Sequence, residues 1–89
     1  LAELERTIAA RKAAGDGGSS YTARLLADPP FVGEKVEEEA EEVVRAAREE
    51  SDQRVREEAA DVLYHLAVLL AARDLSLVDA FEELNERRR

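Results

Sequence analysis

Residues 63–72, LYHLAVLLAA, decide the fold, because only Tyr64 and His65 in this stretch carry polar groups. Such a run contains no helix breaker and presents apolar side chains around the whole circumference of a helix, which predicts a helix buried on every side. A chain of 89 residues holds too little protein to cover that helix alone. We therefore predict an all-α fold in which this helix is buried against a second copy of the chain.

The composition of the chain favours the same fold and bounds its partners. With only two Tyr and two Phe, the core must be built from Leu, Val and Ala, and the many Glu and Arg residues are typical of helical proteins. We expect residues 1–89 to form a single domain. The net charge of −8 argues against nucleic acid or an anionic membrane as partner. The sequence has no cysteine, secretory leader or apolar run of about 18 residues, so we expect a cytoplasmic protein.

Apolar spacing, capping residues and helix breakers predict four helices and one short helical segment. The long helices are predicted at 1–14, 31–50 and 53–73, and a last one starts at the cap Ser76 and ends in the basic residues 87–89. The short segment is predicted after the cap Ser20, with Pro29 and Pro30 closing it. Short connections between such helices predict an antiparallel bundle of four to five helices.

Helical periodicity also assigns faces to the second and third long helices. The apolar stripe of the second is predicted at Val36, Ala40, Val43 and Ala47. The core stripe of the third is predicted at Val55, Ala59, Val62, Leu63, Leu66 and Leu70. Acidic side chains line the edges of both stripes, and His65 follows Asp61 by one turn.

Residues 34–42, EKVEEEAEE, place six glutamates in nine positions. Like charges at helical spacing repel by roughly 0.2–0.5 kcal/mol per pair, and such a run is most often a solvated face. A second acidic pair, Glu58 and Asp61, argues against that simple interpretation because it directly precedes the apolar stretch. If the two helices are antiparallel neighbours, this pair converges with Glu39 and Glu42. Four oxygen-ligand side chains of this kind bind Mg²⁺, Mn²⁺ or Ca²⁺.

A divalent ion held by carboxylates suits hydrolysis of a polyphosphate. Glu38 is the candidate base for the attacking water, and Lys35 and Arg24 are candidates for binding phosphate oxygens. His65 is more often a hydrogen-bonded core residue than a metal ligand in such a position.

The spacing Glu38-Glu39-x-x-Glu42, fifteen intervening residues and Glu58-x-x-Asp61 resembles the motif of the MazG-like all-α nucleoside triphosphate pyrophosphohydrolases. Within that superfamily the chain is similar to the phosphoribosyl-ATP pyrophosphatase family over nearly its whole length, through SYTARLL at 20–26, KVEEEAEEVV at 35–44 and EEAADVLYHL at 57–66. It departs from the usual family pattern at Glu37, where glycine is common.

The resemblance implies hydrolysis of phosphoribosyl-ATP to phosphoribosyl-AMP and pyrophosphate, the second step of L-histidine biosynthesis, in a homodimer that uses Mg²⁺, with Mn²⁺ as a substitute. It implies that the metal ligands are Glu39, Glu42, Glu58 and Asp61, with Glu38 as a further acidic residue beside them. The substrate-side residues that it implies are Lys35, Ser20, Tyr21, Thr22 and Arg24. One alternative is a MazG-like hydrolase of dUTP, dCTP or non-standard nucleotides, and a more distant one is a non-catalytic helical dimerisation module.

Overall fold

The computed structural model describes residues 2–14 and 21–88, and the regular secondary structure in these two ranges is entirely α-helical. The helices are α1 (Ala2–Ala14), α2 (Tyr21–Leu26), α3 (Pro29–Glu49), α4 (Asp52–Ala71) and α5 (Leu77–Arg87). The predicted all-α class and the order of the helices are confirmed. None of the helices described is long and apolar enough to cross a membrane.

The start of α3 differs from the prediction. Pro29 and Pro30 are its first residues, although they were expected to close the preceding segment. Proline suits the first turn of a helix because the amide that it lacks would have no partner there. Asp28 caps this helix, and its carboxylate accepts a hydrogen bond from the amide of Phe31 at 3.3 Å. The predicted cap Ser20 lies outside the described residues.

Serine side chains cap α4 and α5, and the cap predicted at Ser76 is confirmed. The hydroxyl of Ser51 accepts a hydrogen bond from the amide of Arg54 at 3.3 Å. At the start of α5, the Ser76 amide donates to Asp79 Oδ2 at 2.8 Å and the Ser76 hydroxyl accepts from the Val78 amide at 3.2 Å. Side chain and backbone thus satisfy each other in a complete capping box.

The long helices α3 and α4 form an antiparallel hairpin, because only Glu50 and Ser51 separate them and they pack along each other. The core lies at the end of this hairpin far from that connection, where α1, α2 and the start of α5 cover it. The buried core residues are Ile8, Leu25, Val32, Ala67, Val68 and Leu77.

Polar contacts fix α1 to this end of the hairpin. Lys12 Nζ lies 2.5 Å from both the Ala71 carbonyl and Asp74 Oδ1, at the point where α4 ends. Glu5 Oε1 accepts a hydrogen bond from the Leu77 amide at 2.8 Å. Asp74 has a φ of 60°, the left-handed conformation that lets the chain reverse between α4 and α5. The Lys12 ammonium group, through its hydrogen bond and its charge, lowers the pKa of Asp74.

The predicted apolar stripes are not the buried faces of a single chain. On α3 the buried residues are Val32, Glu39 and Ala46, whereas Ala40 and Ala47 are exposed. On α4 the buried residues are Glu58, His65, Ala67 and Val68. Of the predicted α4 stripe, Leu66 and Leu70 pack at the margin of the core, Val55, Ala59 and Val62 are partly exposed, and Leu63 is 49% exposed. Toward the α3–α4 connection, no other described helix covers the hairpin enough to bury these side chains.

Candidate metal and substrate site

Three ionisable side chains are buried between α3 and α4. Glu39 is 8% exposed, Glu58 is 6% exposed and His65 is 5% exposed. Burying an ionised carboxylate is unfavourable unless an opposite charge or hydrogen-bond donors compensate it. The partners of these three groups therefore decide what the cleft can hold.

The carboxylate of Glu39 lies against the ring of His65. Glu39 Oε1 lies 2.5 Å from His65 Nδ1, but the aligned hydrogen bond of Nδ1 goes to the Asp61 carbonyl oxygen at 3.0 Å. Among the described residues, Glu39 Oε1 has no correctly oriented donor despite its burial. On the other side of the ring, His65 Nε2 lies 2.9 Å from Tyr21 Oη, which ties α2 to α4. The prediction of a hydrogen-bonded core histidine is confirmed.

Glu58 is held by Arg54, one turn earlier on α4. Arg54 Nη2 donates to Glu58 Oε1 at 2.5 Å, and the same guanidinium binds Glu50 at 3.2 Å and Glu57 at 2.6 Å. Hydrogen bonds from Gln53 and Arg54 lower the pKa of Glu57. Glu58 Oε2, however, is buried without a donor among the described residues. Arg54 thus neutralises part of the negative charge of the acidic cluster but leaves Glu58 Oε2 without a donor.

Glu42 of α3 meets Glu58 of α4, so the hairpin does bring acidic groups from the two helices together. A hydrogen bond to Glu58 raises the pKa of Glu42, and burial and the negative charges of Glu58 and Glu38 raise it further. Asp61 is exposed, and the contact recorded for it in this site is made by its backbone carbonyl. No group of three or more His, Asp or Glu side chains stands ready to hold a metal within residues 2–14 and 21–88.

The donor set nevertheless fits a hard divalent cation. Two buried carboxylate oxygens, on Glu39 and Glu58, lack donors, and a third carboxylate, that of Glu42, is held against Glu58 in a contact that two ionised groups would not favour. A cation between α3 and α4 would compensate all three, and carboxylate oxygens are the ligands that Mg²⁺ and Mn²⁺ prefer.

Of the residues that the resemblance places on the substrate side, the described ones lie beside this cleft. A hollow of about 360 Å³ is lined by Tyr21, Arg24, Leu25, Asp28 and Phe31. Thr22 is buried, and its hydroxyl is hydrogen-bonded to Tyr64, so it fixes α2 against α4.

Lys35 lies between the hollow and the acidic face. Its Nζ is 3.8 Å from Glu38 and 6.0 Å from the centre of the Phe31 ring. It precedes the acidic motif by three residues. Glu38, with a side chain that is 58% exposed, lies within reach of solvent.

Sequence reasoning missed Arg54 and Phe31. The Arg54 contacts were accessible from spacing, because Glu50, Arg54 and Glu58 stand four residues apart and such pairs meet on one helix face. No sequence signal indicated that Phe31 would line a hollow, because its place depends on how α2 packs against α3.

Comparison with known proteins gives one consistent result. A family model described as phosphoribosyl-ATP pyrophosphohydrolase matches residues 1–88. The chain is 52% identical over 88 residues to the phosphoribosyl-ATP pyrophosphatase of Dinoroseobacter shibae, and the alignment covers 98% of this chain and 85% of that protein. It is 51% identical to the protein of the same name from Erythrobacter litoralis and 49% identical to one from Cereibacter sphaeroides, with 98% of this chain and 84% of each relative covered.

Proposed function

The chain belongs to the phosphoribosyl-ATP pyrophosphohydrolase family, and we propose that it hydrolyses phosphoribosyl-ATP to phosphoribosyl-AMP and pyrophosphate, the second step of L-histidine biosynthesis. The observation that carries this proposal is the match across residues 1–88, which includes both acidic helices and α2. The cleft geometry supports it, since it provides buried carboxylate oxygens that lack donors where a polyphosphate-bound cation would lie. Residues 1–89 would act as one catalytic domain in the cytoplasm.

We infer that Mg²⁺ is the ion used and that Mn²⁺ can replace it. The proposed ligands are Glu39 and Glu42 of α3 and Glu58 and Asp61 of α4. When bound, such an ion neutralises charge on the triphosphate and favours the ionised form of a coordinated water. For Asp61 to contribute, its exposed side chain must turn toward the cleft.

The remaining residues would position the reactants. Glu38 is the proposed base, because its exposed carboxylate can accept a proton from the attacking water. The water oxygen bonds to phosphorus, and the anhydride bond between the α and β phosphates breaks to release pyrophosphate. Lys35 pairs with Glu38 at 3.8 Å, and its ammonium group is proposed to bind the phosphates. Arg24 and Tyr21 line the neighbouring hollow and are proposed to bind the substrate, with Thr22 fixing α2 and Ser20 acting from the segment that precedes it.

We also propose that two copies of the chain associate through the uncovered part of the α3–α4 hairpin. An open hollow of about 360 Å³ there is lined by the apolar residues Ala40, Val43, Ala59, Val62 and Leu63. Val44, 56% exposed, extends this surface. Covering these side chains with a second hairpin would remove apolar area from water, which is worth about 25 cal/mol per Å².

The test of the reaction is pyrophosphate release by the purified protein with Mg²⁺, on phosphoribosyl-ATP and, in parallel, on dUTP and dCTP. We expect a clear preference for phosphoribosyl-ATP. Glu42→Gln should lower turnover by at least about 100-fold through loss of a metal ligand. Glu41→Gln, which makes the same charge change at the neighbouring exposed position, should leave turnover close to wild type. Preference for a deoxynucleotide would reject phosphoribosyl-ATP as the substrate and leave the proposed metal site untouched. Equal turnover by Glu42→Gln and Glu41→Gln would reject the metal site.

A further inference from the structure

The imidazole of His65 connects three helices at the centre of the cleft. It is the single histidine of the chain and is 5% exposed. One ring nitrogen faces Glu39 of α3 and the Asp61 carbonyl of its own helix, and the other faces Tyr21 of α2. Neither the helix packing nor the proposed ligand set explains why a polar ring is buried at this point.

The neighbours of the ring decide which nitrogen carries its hydrogen. Nδ1 is 2.5 Å from Glu39 Oε1 and 3.0 Å from the Asp61 carbonyl, and both of these oxygens are acceptors. Nδ1 must therefore be the protonated nitrogen in the neutral ring. Nε2 then accepts a hydrogen bond from the hydroxyl of Tyr21 at 2.9 Å, because the phenol can donate. Every polar contact of the ring is thus accounted for by one tautomer.

We propose that His65 is a positioning residue for Glu39: its Nδ1–H, oriented by Tyr21 and by the Asp61 carbonyl, holds the Glu39 carboxylate in the cleft for the divalent cation. The inference rests on the proposed function, because it takes Glu39 as a metal ligand. Glu39 Oε1 is buried with no aligned donor among the described residues, and His65 Nδ1, 2.5 Å away, is the polar group that faces it. Without the ring, the Glu39 side chain would be free to leave the cleft. Metal binding would then have to order that side chain, and the lost entropy would lower the affinity for the metal.

Mn²⁺ binding to the purified protein, measured by isothermal titration calorimetry, tests the proposal without requiring turnover. We expect His65→Leu to weaken Mn²⁺ binding by about 10- to 100-fold, the usual effect of losing a group that orients a ligand. His65→Asn should recover affinity to within a few fold, because its amide nitrogen takes the place of Nδ1. Val68→Ala is the control, since it opens the buried apolar cluster on the same helix without changing a polar or charged group. It should lower the unfolding temperature and leave Mn²⁺ affinity unchanged.

Unchanged affinity in His65→Leu, or an equal loss in His65→Leu and His65→Asn, would overturn the proposal. Should His65→Leu fail to fold, nitrogen-15 NMR of the wild-type ring decides, because a single histidine gives unambiguous signals. In alkaline solution we expect the Nδ1–H tautomer and a shift of the ring signals on addition of Mg²⁺ that is absent in Glu39→Gln. The Nε2–H tautomer, or no shift in the wild type, would reject the proposal. Failure of the reaction itself appears differently, as a wild type that binds Mn²⁺ in this pattern but releases no pyrophosphate from phosphoribosyl-ATP.

Discussion

Replacing Glu39 with glutamine should make the metal-free protein more stable and should reduce the extra stability that bound metal provides. Glu39 is 8% exposed, and its Oε1 is buried without an aligned donor. A buried polar group without a partner costs about 1–3 kcal/mol, and more if it is charged. Glutamine keeps the shape of the side chain and is neutral, so it removes the cost of burying a charge at this position. We therefore expect Glu39→Gln to raise the metal-free free energy of unfolding by about 1–3 kcal/mol.

For a chain of this size, 1 kcal/mol corresponds to roughly 4–8 °C in unfolding temperature, so the gain is measurable by calorimetry or circular dichroism. Scans with chelator should be run at one pH and one protein concentration, because association would shift the midpoint. A ligand present at 100 times its dissociation constant adds about 2.7 kcal/mol. The wild type should gain that increment with Mn²⁺ at this ratio, whereas Glu39→Gln should gain at most about half of it at the same concentration if its affinity falls tenfold or more.

Glu41→Gln is the matched control, because it makes the same chemical change at an exposed position two residues along α3. We expect its stability to change by less than about 0.5 kcal/mol, with the Mn²⁺ increment intact. A metal-free Glu39→Gln protein less stable than wild type would refute the argument that Glu39 is an uncompensated buried charge. A normal Mn²⁺ increment in that variant would refute its place among the ligands.

Three further outcomes are expected. Leu63→Glu places a charge in the uncovered apolar surface and should give a monomer by sedimentation at micromolar concentration. Gln53→Glu, at an exposed position on the same helix, should remain a dimer. An unchanged mass for Leu63→Glu would exclude this surface as the dimer interface. Ile8 is 1% exposed and is the α1 residue in the buried core cluster. Ile8→Ala should therefore lower the free energy of unfolding in urea by about 2–5 kcal/mol. A loss below about 1 kcal/mol would mean that contacts other than Ile8 hold α1 in place. Lys12→Met should remove a pH-dependent part of the stability. Since the folded-state pKa of Asp74 is lowered from its usual 3.8, this contribution is complete above that pH and is lost as the pH falls through the lower folded value. The difference between the wild-type and variant unfolding temperatures should therefore shrink in acid to what the Lys12–Ala71 hydrogen bond contributes. Curves that stay parallel below that pH would contradict the ion pair.

The helices were predictable because their signals are local. Ser51 and the pair Ser76 and Asp79 cap helices through atoms within three residues, and the structure shows each of those bonds. The same locality explains the error at Pro29 and Pro30. A pair of prolines marks a helix boundary, but sequence alone does not say whether one helix ends there or another begins.

The buried faces were less predictable because burial depends on which neighbours are available. The apolar stripe of α3 includes Ala40 and Ala47, which are exposed, whereas Glu39 beside it is buried against His65. Periodicity identifies an apolar face and does not say whether that face meets the same chain or another one. The motif spacing did indicate that acidic groups from two helices meet, as Glu42 and Glu58 do, but not that Arg54 and His65 are their partners.

The make-up of the core bears on how the protein is synthesised. Its buried cluster draws on residues from Ile8 to Leu77, so the first and last contributors are separated by most of the chain. While the ribosome still holds the C-terminal part, α4 cannot complete its packing and α5 has not yet emerged to cover it. The polypeptide therefore completes this core only after α5 has emerged from the ribosome, and until then α3 and α4 expose apolar surface.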